Sequence, residues 1–226
     1  MVEFTLVTLW FYLFFLFTVI IYYLLPKRLQ WFILILICIA FFLLSSTKYT
    51  ILYMLFVADV TFLATIGIRK NRNKKLEKVW MTIGIVGNVS VLVVLKYLGF
   101  FIGNIDSIAR VLNGIPMLIQ IPEWAAPIGI SFYTLSAIGY IVDCYWGLCK
   151  PSGNFFKDLL FICYWPVLTS GPIIKHSEVS KDLFSEHNFD IDRICFGIQR
   201  MLWGISKKIV LSARIGGGSR HHLWRY

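Results

Sequence analysis

Six polar side chains stand in one apolar run: Ser131, Tyr133, Thr134, Ser136, Tyr140 and Asp143, between Pro127 and Gly147. Hydroxyls and a carboxylate in hydrocarbon are costly unless they are hydrogen-bonded. A helix that only anchors a protein does not need them. A helix bordering a buried path for a polar substrate does. Ser131 with Thr134, and Tyr133 with Tyr140, can present oxygen atoms on more than one helix face. Ser and Thr hydroxyls also bond back to their own helix, so the row names no reaction by itself. Pro127 and Gly129 at its start permit a break or a close backbone approach.

A second stretch, Phe155 to His176, is apolar, short for a span, and broken by Pro166 and Gly171-Pro172. Irregular backbone at membrane depth is tolerated only inside protein or beside water. The segment therefore reads as a re-entrant piece or a helix pair leading into a buried site. An interfacial loop with aromatic anchors is the competing reading. Lys175 and His176 close it. A lone loop histidine is ordinarily exposed, and His176 receives no catalytic role.

The elements that must position these residues are membrane helices. The chain has 226 residues, 58% of them hydrophobic and only 15% charged. Soluble domains carry about a quarter charged residues, so one water-soluble core would leave large apolar areas exposed. The fold class expected is all-α: a polytopic bundle with a re-entrant element. The net charge of +10 sits in short loops between apolar runs, which fits positive-inside topology and not nucleic-acid binding. Cys38, Cys144, Cys149, Cys163 and Cys195 have neither metal nor disulfide-framework spacing, and behave as small hydrophobes. No metal site is expected.

Five runs qualify as spans: Phe4–Leu25, Leu29–Leu44, Tyr49–Ile68, Val79–Ile102 and Trp124–Tyr145. The first has Glu3 where a signal peptide has basic residues, and it ends in Pro26-Lys27-Arg28, so it reads as retained. Lys27 and Arg28 follow the first span, and Arg69 to Lys78 follow the third. Both loops are basic, which puts them in the cytoplasm and the N-terminus outside. Segment 103–123 is the long external connection, with turn signals at Asn113-Gly114, Pro116 and Pro122.

Charges within spans are further clues. Asp59 is near the middle of the third span, where a hydrogen bond or ion pair between helices is the plain reading. Lys96 lies toward the external end of the fourth, where it can snorkel. Asp143 ends the fifth span, against the helix dipole, and calls for a basic partner such as Lys150 or Lys175. Asp190 and Asp192 open a last helix whose apolar residues follow three- and four-residue steps.

The run Pro127–Gly147 resembles a signature of the membrane-bound O-acyltransferase family, in the branch of alginate O-acetylation and teichoic-acid D-alanylation proteins. Lys96-Tyr97, Ser170 to Ile173 with the basic Lys175, and Trp203 to Arg214 resemble further blocks. An aspartate expected between Ala213 and Arg214 is missing. The resemblance covers residues 1–214 and about the first half of a full-length member. Residues 215–226 change character and read as an irregular, out-of-frame tail. The resemblance implies transfer of an acyl group to a hydroxyl of an extracellular polysaccharide or cell-wall polymer. Pro127, Ser131, Tyr133, Asp143, Gly171, Pro172 and Lys175 become candidates for lining the substrate tunnel. It implies no bound cofactor, an acyl-CoA or acyl-carrier-protein donor as substrate, an extracellular partner protein, and a place in the plasma membrane. The catalytic histidine is expected beyond the end of this chain, leaving the chain inactive alone. The alternatives are a transporter or flippase fragment, or a structural membrane subunit.

Overall fold

The computed structural model describes residues 9–45, 50–71, 73–97, 100–104, 129–168 and 173–216. The regular elements named below are all helical. They are α1 (Leu9–Leu24), α2 (Gln30–Ser45, entered by a 3-10 turn at Lys27–Leu29), α3 (Thr50–Lys70) and α4 (Lys74–Leu92, leaving through a π turn at Val93–Tyr97). There follow α5 (Ile130–Tyr145), α6 (Phe155–Cys163), the single turn α7 (Trp165–Leu168), α8 (His176–Phe184) and α9 (Ile191–Gly216). Among the described residues, three stretches are long and apolar enough to cross a bilayer: Lys27–Leu44, Thr50–Lys70 and Lys74–Tyr97. Within the described residues α1 and α5 are 16 residues each. The external connection 103–123 falls largely outside the described residues, as do Pro127, Gly171 and Pro172.

The chain forms two compact units, residues 1–186 and 187–226. In the first, α3, α4 and α5 pack mutually, and α6 lies against α2, α3 and α5. Without a hydrophobic driving force between helices in lipid, close backbone approach has to hold such a bundle. Gly84 of α4 supplies it: a Cβ there would stand 2.6 Å from Ala64 of α3 and 2.9 Å from Ile141 of α5. Nearby, Asn88 is fully buried and donates to the Gly84 carbonyl (2.8 Å) and to Thr61 of α3 (3.4 Å). Outward faces carry large apolar side chains, among them Leu52, Phe56 and Leu63 on α3 and Val79, Ile83 and Val86 on α4. Polar groups inside and hydrocarbon outside is the arrangement a lipid solvent demands.

Much of the broken segment that is described is buried in protein. Asp158 to Cys163 of α6 are all buried, as is Trp165 after the break. Tyr164 leaves the helical region at ψ 95° and ends α6. Pro166 then falls in the first turn of α7, where its missing N–H costs no helical bond. Trp165 stacks on Phe41 (centroids 5.4 Å apart) and meets Phe11 and Phe14 edge-on at 5.3 and 5.0 Å. The interfacial-loop reading is thereby replaced: the aromatics anchor α6 and α7 to α1 and α2, not to a headgroup layer.

Asp59 is turned outward on α3, with no hydrogen bond or ion pair among the described residues. The helix-to-helix contact expected for it is not formed within the described residues.

In the second unit, Asp190 caps α9: its Oδ1 accepts from the Asp192 and Arg193 amides at 3.0 and 3.2 Å. This is the ordinary N-cap solution for orphan helix donors. Phe196, Ile198, Leu202 and Trp203 are exposed on it. Within the described residues the helix reaches Gly216, the first of the glycine run.

Candidate functional site

The hydroxyl-bearing face of α5 turns inward. Tyr133, Thr134, Ser136 and Tyr140 are buried, while Leu135 and Gly139 between them are exposed. Each hydroxyl then meets a different fate. Thr134 bonds back to the Ile130 carbonyl (2.6 Å), as the plain helical reading expects. Tyr133 keeps its hydroxyl buried and without a partner among the described residues, beside a void of about 10 Å³ that also touches Ser136, Tyr164 and Leu168. A void of that size holds about one water.

Ser131 lies at the other end of the helix, half-buried, and accepts from Lys96 Nζ at 3.0 Å. Lys96 does not simply reach for water; it ties the end of α4 to the start of α5. Gly129 precedes this contact in the left-handed region (φ 77°), where a Cβ would stand 2.8 Å from the Leu168 carbonyl oxygen. The close backbone approach expected at this glycine is made by α7.

Tyr140 is the centre of a buried polar cluster. Its hydroxyl donates to Asp158 Oδ1 (3.1 Å) and accepts from the Ser152 amide (3.0 Å). Ser152 Oγ donates to the same Asp158 oxygen at 2.5 Å. Asp158 Oδ2 is buried without a partner among the described residues. The α6 helix that carries Asp158 is capped by Asn154, whose side chain accepts from the Phe156 amide at 2.9 Å. A carboxylate in this first turn faces the favourable end of the helix dipole. Burial nevertheless pushes the Asp158 carboxyl above the ordinary carboxylate range, against the hydrogen bonds from Ser152 and Tyr140 and the nearby His176.

His176, read from sequence as an exposed loop residue, is 5% exposed and stacks on Tyr140 with ring centroids 4.1 Å apart. Phe161 meets it edge-on at 5.0 Å. Aromatic walls from α5 and α6 bury it, and neither ring nitrogen has a hydrogen-bond partner among the described residues. Cys144 and Cys149 complete the group, with their sulfurs 3.3 Å apart.

Asp143 is half-buried, and its carbonyl accepts from the Leu148 and Cys149 amides at 2.9 and 3.4 Å. Its carboxylate makes no ion pair among the described residues. The expected pairing with Lys175 is not formed: Lys175 is exposed and faces Glu178 at 3.9 Å. Among the described residues no group of three His, Cys, Asp or Glu side chains converges to hold a metal.

The cluster adjoins the basic end of α3. Gly153 lies against the Arg69 guanidinium, and with Ile66 and Lys70 these residues line an open cavity of about 370 Å³. A buried acid with a spare oxygen, a phenol and an imidazole beside cations could move a proton and receive an anionic group.

This is a helical membrane protein with a polar cluster enclosed at one end of its bundle. It resembles the membrane-bound O-acyltransferases, in the alginate O-acetylation branch. It is 28% identical over 162 residues to a protein of Azotobacter vinelandii described as a probable alginate O-acetylase, covering 70% of this chain and 32% of that one. A probable alginate O-acetylase of Pseudomonas aeruginosa is 27% identical over 172 residues, 74% of this chain and 32% of that protein. A peptidoglycan O-acetyltransferase of Helicobacter pylori is 26% identical over 207 residues, 79% of this chain and 38% of that protein. The chain thus spans about a third of the length of the curated relatives it matches. No family model matches it, and no solved structure does.

Proposed function

We propose that this chain forms the N-terminal part of a membrane O-acyltransferase that esterifies a hydroxyl of an extracellular polysaccharide or cell-wall polymer. Similarity to O-acetylating enzymes over about three quarters of the chain carries the reading. The inward polar face of α5 supports it. The donor, an acyl-CoA or an acyl carrier protein, approaches from the cytoplasm. The cavity between Arg69, Lys70 and Gly153 suits its anionic groups. In the transfer, the acceptor oxygen bonds the acyl carbon, the carbon–sulfur bond of the thioester breaks, and the acceptor proton passes to a base and from it to the departing thiolate, which leaves as the free thiol. That base is a histidine outside these 226 residues, and the chain alone is inactive. No bound cofactor takes part. Tyr140, Ser152 and Asp158 hold α6 against α5 and fix the cytoplasmic mouth. The tunnel candidates Pro127, Gly171 and Pro172 flank α5 and α7 in sequence. The protein sits in the plasma membrane as a multi-pass protein with its N-terminus outside, and an extracellular partner protein receives or presents the polymer.

The test is alkali-released acyl ester on the surface polymer of cells making residues 1–214 with and without a continued reading frame. Esters that rise only with the continuation are expected. Ester formation by the 226-residue chain alone would refute the assignment of the base.

A further inference from the structure

We propose that Cys144 and Cys149 are an oxidation-sensitive dithiol whose reactant is a peroxide. The inference does not rest on the acyl-transfer reading. Cys144 is in the last turn of α5 and is buried. At Gly147 the chain reverses (φ 74°), and the Leu148 and Cys149 amides both donate to the Asp143 carbonyl. This turn brings Cys149 back over the helix end, which places the two sulfurs 3.3 Å apart. Residues five apart do not share a face of one helix, so the contact exists only because of the turn. Cys149 is half-buried and within reach of a small oxidant, whereas Cys144 lies behind it.

The surroundings support the same division of roles. Cys144 donating to Cys149, with His176 nearby, draws the Cys149 thiol down to about 6, although burial and the Asp143 carboxylate oppose this. A thiolate, not a thiol, attacks peroxides. The Cys149 sulfur forms a bond to one peroxide oxygen, the O–O bond breaks, and the departing hydroxide takes a proton to leave as water. The Cys144 sulfur then bonds the sulfenic sulfur, the S–O bond breaks, and a second water leaves with the Cys144 proton. Two thiols lose two electrons, and one hydrogen peroxide becomes two waters. The other described cysteines have no such arrangement of access and partner: Cys38 and Cys163 are fully buried, and Cys195 stands exposed on α9 in the second unit.

The experiment uses the full chain in membranes. It is exposed to hydrogen peroxide, unfolded, alkylated and digested, and the peptide bearing both cysteines is weighed. Loss of both alkylation sites together, with a mass two hydrogens lighter and recovery by dithiothreitol, is expected. Alkylation at Cys195 should be unchanged after the same brief treatment. Cys144→Ser should trap a sulfenic acid on Cys149, detected with dimedone. Two freely alkylated thiols after peroxide, or oxidation of Cys149 that leaves Cys144 reduced in the unmutated chain, would overturn the proposal. The reading on the unmutated chain stands whether or not the variant folds.

Discussion

Tyr140 and Asp158 meet across 3.1 Å, hydroxyl to carboxylate, from the 16-residue α5 and a nine-residue helix too short to span. The Ser152 amide and hydroxyl close the triangle from the loop between them. The bond is therefore the point at which the irregular segment is held to the bundle.

Tyr140→Phe should destabilise the protein by about 1–3 kcal/mol, because it strips a buried carboxylate of one donor and the Ser152 amide of its acceptor. Thermal unfolding in detergent, followed by loss of monodisperse protein, measures it. An unchanged midpoint would remove Tyr140 from this role.

Gly129→Ala should also destabilise the protein, by about 1–2 kcal/mol from left-handed backbone alone. The contact with the Leu168 carbonyl adds to that. Gly139→Ala is the control, since a Cβ there meets nothing within 4 Å. Equal midpoints for the two variants would contradict the close approach of α7 to α5.

Orientation is open to chemical labelling. In a chain with its own cysteines replaced by serine, Asn71→Cys should resist an impermeant maleimide added to intact cells and react after permeabilisation. Ready labelling from outside would reverse the topology drawn from Lys27, Arg28 and the basic loop after α3.

The Cys149 thiol ionises near 6 in the folded chain against an ordinary thiol value of about 9. A depressed acid favours the folded state above the ordinary value, and that contribution is lost as pH falls through the folded one. Alkylation of Cys149 by iodoacetamide should therefore keep its rate from pH 8 to 7 and fall below pH 6. A rate still climbing between pH 8 and 9 would contradict the thiolate.

Much of the fold was legible because lipid is a simple solvent. Apolar runs, basic loops and the proline breaks located the helices, and α4 starts earlier than its apolar run only because Asn73 caps a charged first turn, accepting from the Lys75 amide. The site was less legible. His176 looked exposed because its burial comes from Tyr140 and Phe161, distant in sequence. Asp158 drew no notice in the sequence because its partners, Tyr140 and Ser152, arrive from another helix and a turn. The only available hint was an acid four residues after the capping Asn154, inside an otherwise apolar run. The dithiol depends on the Gly147 reversal, which spacing alone does not reveal. The inward turn of Tyr133 and Ser136 fits the cost of leaving a row of hydroxyls in hydrocarbon.

The α5 hydroxyl face is turned to protein. Nitroxides placed singly at positions 133 to 140 of a chain lacking its own cysteines measure this through collision with dissolved oxygen, which concentrates in lipid. High collision rates at Leu135 and Gly139, and low rates at Tyr133, Ser136 and Tyr140, are predicted. The opposite pattern, with the hydroxyl positions open to lipid, would contradict it.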